Sequence, residues 1–171
     1  MNLYGIQLEI MLVALGVAAL LTHAFRPAIA PRAVGGWLAA GVAAILLYSF
    51  TLQPVAEPLF QGLYRLDGAA LFFKRLLLAG TVLALVLAME FPAVRAEGVE
   101  FFTLTLFAAA GMLLLASVNE FVFLFVALEL VAVCFYVLTS FLRRDTAALK
   151  AGVKYLVMGA LSASLTVYGI A

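Results

Sequence analysis

Between Glu120 and Arg143 the chain reads FVFLFVALELVAVCFYVLTSFL, an apolar run long enough to cross a bilayer, with one charged residue, Glu129, near its middle. In hydrocarbon no water pairs with free backbone amides, so a run of this kind folds as a helix that satisfies its own N–H and C=O groups. A carboxylate at that depth costs roughly 2.5 to 3.5 kcal/mol on insertion scales, and its default place is against protein or a water-filled cavity. Fold and chemistry are therefore constrained by the same residue.

The rest of the chain repeats the pattern. Of its 171 residues 67% are hydrophobic and 11% charged, and the mean hydropathy is +1.21. A soluble domain carries about 25% charged residues, so the composition describes an integral membrane protein. We expect an all-α polytopic membrane helix bundle of six transmembrane helices, at about 3–24, 33–52, 67–89, 99–118, 121–142 and 146–171. No repeat or linker divides it, so residues 1–171 read as one transmembrane domain. The first apolar run starts too near Met1 for a basic n-region and contains Glu9, so it reads as a retained helix, the expectation here, and not as a cleaved signal peptide.

The breaks carry turn chemistry. Arg26-Pro27 and Pro31-Arg32 separate the first two helices, and Asp67 is placed to cap the third. Residues 53–66, with Pro54, Glu57, Pro58, Gly62, Tyr64 and Arg65, read as a surface loop, and 92–98 as another. Asn119-Glu120 marks a tight turn, and Arg143, Arg144, Asp145 and Thr146 the last. The connections after helices one, three and five hold Arg26, Arg32, Arg95, Arg143 and Arg144, whereas those after two and four hold Arg65. Basic residues stay in the cytoplasm, which puts the N-terminus outside. Tyr4, Trp37, Tyr48 and Tyr64 lie near helix ends, where aromatic rings settle at the membrane interface.

Glu129 and five other ionisable residues inside or near the spans could carry chemistry. Glu9, Lys74, Arg75 and Lys150 lie one or two turns from a helix end, from which a side chain reaches an interface by snorkelling. Glu129 and Lys154 lie deeper, each eight residues into its helix from opposite sides, or about 12 Å. In a hydrocarbon core of about 30 Å this leaves an axial gap of roughly 6 Å. A proton-handling pair is geometrically allowed: each charge raises the tendency of the other to stay ionised, and burial opposes both. The alternative is a static ion pair that joins two helices. The small residues Gly152, Gly159, Ala160, Ser162, Ala163 and Ser164 of the sixth helix read as a close-packing stripe, as do Gly111, Ser117 and Asn119. One histidine, His23, and one cysteine, Cys134, are too few for a four-ligand metal site, and neither a Walker loop nor a dinucleotide fingerprint occurs.

The run NEFVFLFVALELVAVCFYVLTSFLRRDTAALKAGVKYLVMGALSASLTVYG resembles the fifth and sixth helices of subunit N of bacterial respiratory complex I, the proton-translocating NADH:quinone oxidoreductase. QLEIMLVALGVAALL, YRLDGAALFFKRLLLAGTVLAL and VEFFTLTLFAAAGMLLLAS are similar to its first, third and fourth helices, in that order. The resemblance implies an antiporter-like subunit of about fourteen helices with two inverted five-helix repeats. On it, 1–98 corresponds to three N-terminal helices and 99–171 to the first three of a repeat. The chain is thus expected to be the N-terminal portion of such a subunit, cut short within the sixth helix.

Glu129 matches the family's fifth-helix glutamate, which pairs with a lysine of the seventh helix, and Lys154 matches a sixth-helix lysine. The resemblance implies a membrane-arm subunit of a translocating enzyme that contributes to proton movement through Glu129 and Lys154 and has no redox centre of its own. Flavin, iron–sulfur clusters and quinone are then expected in partner subunits. Its partners would be neighbouring antiporter-like subunits and other membrane-arm subunits, lipid and protons, with no nucleic acid, in the bacterial cytoplasmic membrane. A subunit of a related cation/proton antiporter and a structural membrane piece without transport are the alternatives.

Overall fold

The computed structural model describes residues 3–26, 29–55, 57–92, 98–142 and 144–171. Pro27, Arg95 and Arg143, used above for turns and charge bias, lie outside the described residues, as does most of the 92–98 connection. Among the described residues there are six long helices: α1 (Gln7–Phe25), α2 (Pro31–Ser49), α3 (Gly68–Ala88), α4 (Val99–Leu115), α5 (Phe121–Thr139) and α6 (Thr146–Ile170). A 3-10 turn, Leu3–Ile6, leads into α1. Five of the six are long and apolar enough to cross a membrane, and α4 is apolar but shorter. Its 17 residues span about 26 Å.

Helix starts follow from identifiable residues. Pro31 is the first residue of α2, two positions earlier than the sequence suggests, because its missing N–H costs nothing in a first turn. Asp67, Glu120 and Asp145 cap α3, α5 and α6 by accepting from the amides of Ala70, Phe123 and Ala147.

Helix α4 lies against α1, α2, α3 and α5, whereas α6 packs on α5. Its centre is the run Ala108, Ala109, Ala110, Gly111, all buried, and small enough for neighbouring backbones to come close. Gly111 faces Val131 and Leu130 of α5. Leu12, Leu38, Leu78, Leu85, Leu106 and Leu113 fill the core around it, each with no exposed surface.

The 53–66 segment is not the free surface loop its composition suggests. Residues 63–65 lie between two partners. Leu59 N–H donates to the Tyr64 carbonyl at 2.7 Å on one side, and on the other Arg65 N–H donates to Ser117 at 2.8 Å and Asn119 N–H to Leu63 at 3.0 Å. The Asn119 amide side chain adds a bond to the Gly62 carbonyl at 2.7 Å. Phe60, Gln61 and Gly62 all have positive φ, a left-handed sequence that turns the chain back on itself. Leu52, Tyr64 and Leu66 are buried beneath it. The connection between α2 and α3 is thereby stapled to the turn between α4 and α5 at one end of the bundle. At the other end Arg32 pairs with Glu90 at 2.9 Å, in the open.

Candidate functional site

Glu129 and Lys154 do not meet. Ala127 and Cys134 bury the face of α5 that packs on α4. At about 100° per residue, Glu129, Tyr136 and Ser140 share a stripe on the opposite side. That stripe faces α6: the Tyr136 hydroxyl lies over Gly159, its ring packs edge-on against Tyr155 with centroids 5.1 Å apart, and Ser140 abuts Gly152. The two glycines are what allows this approach, since a Cβ at either would overlap the facing side chain. Glu129 is half-buried on the stripe, with Tyr136 within electrostatic reach of its carboxylate.

Lys154 is exposed, and so is Lys150. Both lie about 160° around α6 from Gly152, on the face turned away from α5. Neither depth nor azimuth matches: with Ser140 against Gly152 and Tyr136 over Gly159, Glu129 stands opposite the last turns of α6, roughly 15 Å along the bundle from Lys154, and no hydrogen bond or ion pair joins the two among the described residues.

The structure instead brings together two residues that sequence reasoning assigned to snorkelling. Glu9 is 5% exposed and Lys74 not at all. Lys74 Nζ donates to Glu9 Oε1 at 2.5 Å. Tyr64 completes the group from the stapled loop and, far from resting at an interface, is 1% exposed. Its hydroxyl accepts from Lys74 Nζ and lies 2.6 Å from the Gly5 carbonyl and 3.0 Å from Glu9 Oε1, either of which can accept its proton. Burial pushes the Tyr64 phenol well above its ordinary value, and the Glu9 charge adds to the effect. Gly5 makes room for the ring: a Cβ there would meet Tyr64 Cε1 at 3.1 Å and overlap Leu59.

Snorkelling fails for Lys74 because its face of α3 points into the bundle, toward α1, and not along the lipid. Arg75, one residue on, does reach outward: it donates to the Ser49 carbonyl at 3.0 Å and lies over the Phe50 ring, its guanidinium 4.7 Å from the centroid. The signal for the Glu9–Lys74 pair was available. Helices α1 and α3 run in the same direction, Lys74 is about 9 Å into α3, and Glu9 is at a similar depth behind the Leu3–Ile6 turn.

Comparison with known proteins places these residues in context. A family described as "NADH:quinone oxidoreductase/Mrp antiporter, TM" matches residues 117–171, the segment with Glu129 and Lys154. The chain is similar to NADH-quinone oxidoreductase subunit N of Rhodospirillum rubrum, 36% identical over 95% of this chain and 34% of that protein. To subunit N of Paramagnetospirillum magneticum it is 34% identical over 99% of this chain and 35% of the relative. To subunit N 2 of Rhizobium meliloti it is 36% identical over 77% of this chain and 28% of the relative. In three dimensions it is similar to a chain of respiratory complex I from Thermus thermophilus with bound aureothin, with TM-score 0.77 and 31% identity, over 95% of this chain and 35% of that one. The chain spans about a third of the length of the curated relatives it matches.

Proposed function

Because this chain belongs to the family of NADH-quinone oxidoreductase subunit N over the stretch it covers, and is a multi-pass membrane protein, we propose that it serves in the membrane arm of such a complex and takes part in redox-coupled proton translocation. Glu129 is its proton-handling carboxylate and Lys154 an accessory cation. The observation that carries the reading is the stripe on α5: one acidic residue near mid-helix, half-buried, with Tyr136 and Ser140 on the same face, inside the segment that the family description covers. Lipid solvates such a group so poorly that protein or water must serve it.

Lys154, turned from α5, would act on a different neighbour. Residues 1–98 then supply three helices that flank the antiporter-like unit beginning at 99. Flavin, iron–sulfur clusters and quinone belong to partner subunits. The protein resides in the bacterial cytoplasmic membrane with its N-terminus outside, as the arginine distribution favours.

A second reading, a subunit of a cation/proton antiporter, is favoured by the family description, which joins both kinds of protein. Replacing Glu129 with Gln in the intact complex, reconstituted in vesicles, tests the first. Proton pumping per NADH oxidised should fall at normal complex content; unchanged pumping sinks the assignment of Glu129. Sodium uptake that tracks Glu129 in its place would favour the antiporter.

A further inference from the structure

We propose that Glu9, Lys74 and Tyr64 form a second protonatable site, independent of Glu129, that binds a proton at Glu9 and exchanges it through Tyr64 with the surface bearing the 53–66 segment. The pair has two net-neutral forms, carboxylate with ammonium and carboxylic acid with amine. They interconvert when one proton moves along the Nζ···Oε1 hydrogen bond of 2.5 Å. A proton taken up from the surface converts carboxylate with ammonium into carboxylic acid with ammonium, which raises the proton count and the net charge of the cluster by one, and its release restores the neutral pair.

A static clamp would have its hydrogen bonds complete, and this cluster does not. Glu9 Oε2 is buried without a partner among the described residues, and Ser117 Oγ lies beside the Tyr64 phenol from the turn between α4 and α5. The two residues are 5% and 1% exposed. Buried polar atoms are nearly always paired, so this carboxylate oxygen is placed to take one further hydrogen-bond donor. Tyr64 provides the route. Its hydroxyl can pass its proton to Glu9 Oε1 and regain one at the phenol oxygen from water at the loop surface, while Gly5 O is the acceptor the hydroxyl turns to between steps. Leu63 and Arg65, on either side of Tyr64 in the chain, are exposed, so the surface begins at the adjoining residues.

The groups that face the site are Glu9 from α1, Tyr64 from the loop, Lys74 from α3 and Ser117 from the turn; Arg75 is directed away, to Ser49 and Phe50. Glu129 faces α6 from the far side of α5, so the two sites share no contact. The consequence for pumping rests on the function proposed above, whereas proton binding itself does not.

Two measurements on the intact complex test this. Infrared difference spectra between acidic and alkaline buffer should contain a protonated-carboxyl band that shifts in Glu9→Asp and persists in Glu129→Gln. Acid-dependent carboxyl signals that Glu9→Asp leaves unchanged overturn the proposal. In vesicles, the double variant Glu9→Gln/Lys74→Met removes both charges, and Tyr64→Phe removes the hydroxyl alone. Fewer protons pumped per NADH oxidised in either, at normal complex content, is the expected result. A wild-type ratio in both means the cluster is a static clamp, and a wild-type ratio here with loss in Glu129→Gln rejects this site while the function above stands.

Discussion

Glu9 and Lys74 stand 65 residues apart in the chain and 2.5 Å apart in the fold, in a site that excludes solvent from both. A buried pair of this kind contributes little relative to an apolar pair of equal volume, yet it is costly to break.

Lys74→Met alone leaves Glu9 without its cation, and we expect a loss of about 3 to 5 kcal/mol. In a thermal-shift assay of the purified complex in detergent, the single variant should be clearly destabilised, and adding Glu9→Gln should restore most of the loss. Equal destabilisation in single and double variants would mean that the two side chains act independently.

The Tyr64 phenol makes stability depend on alkaline pH. Because its folded value is raised, the native state holds the proton more tightly than the unfolded chain does. The contribution is fully present below the ordinary value of about 10 and is lost as pH rises above it. Wild type should therefore lose stability more steeply than Tyr64→Phe between about pH 10 and pH 12. Parallel slopes in the two proteins would contradict the buried, protonated phenol.

Gly159→Ala should overpack the contact with Tyr136 and destabilise by about 1 to 3 kcal/mol. Tyr136→Phe in the same chain removes the overlapping hydroxyl and should recover part of this, read as a coupling energy in a double-mutant cycle. Gly80→Ala, whose new Cβ meets nothing within 4 Å, is the control and should be neutral or slightly stabilising.

Lys154→Ala is expected to reduce coupled proton pumping less than Glu129→Gln does, since Lys154 projects from the face of α6 away from α5. Pumping assays on reconstituted vesicles at matched complex content provide the comparison. An equal or larger loss at Lys154 would reverse the ranking.

The helices were legible because lipid allows few alternatives: an apolar run of about 20 residues bounded by proline, arginine or a capping carboxylate has one stable conformation there. Asp67 could be recognised as a cap for the same local reason. Depth counted from each helix end was not legible: it brought Glu129 and Lys154 close to a common height, whereas the seating of Ser140 on Gly152 leaves them roughly 15 Å apart along the bundle. Azimuth was not legible either. Which way a side chain points around its helix depends on which neighbour packs where, and here that was decided by Gly152 and Gly159 seating α6 on α5. The Glu9 cluster escaped for another reason. Nearness to a helix end permits both snorkelling and burial, and the choice is made by Tyr64, which arrives from a segment whose prolines and charges suggested only surface.

The distance in sequence between Glu9 and Lys74 also sets a schedule for biosynthesis. At roughly 5 to 20 residues per second, α1 is made about 3 to 13 seconds before Lys74 emerges. Through that interval α1 has a carboxylate without its cation; the turn of Tyr64 is made just before Lys74, and the support of Ser117 comes later still. Glu9 sits near the start of its helix, where a nascent chain can keep the group close to the headgroups or protonated while it waits. The buried pair can close only once α3 has supplied Lys74, so α1 reaches its final surroundings no earlier than the third helix does.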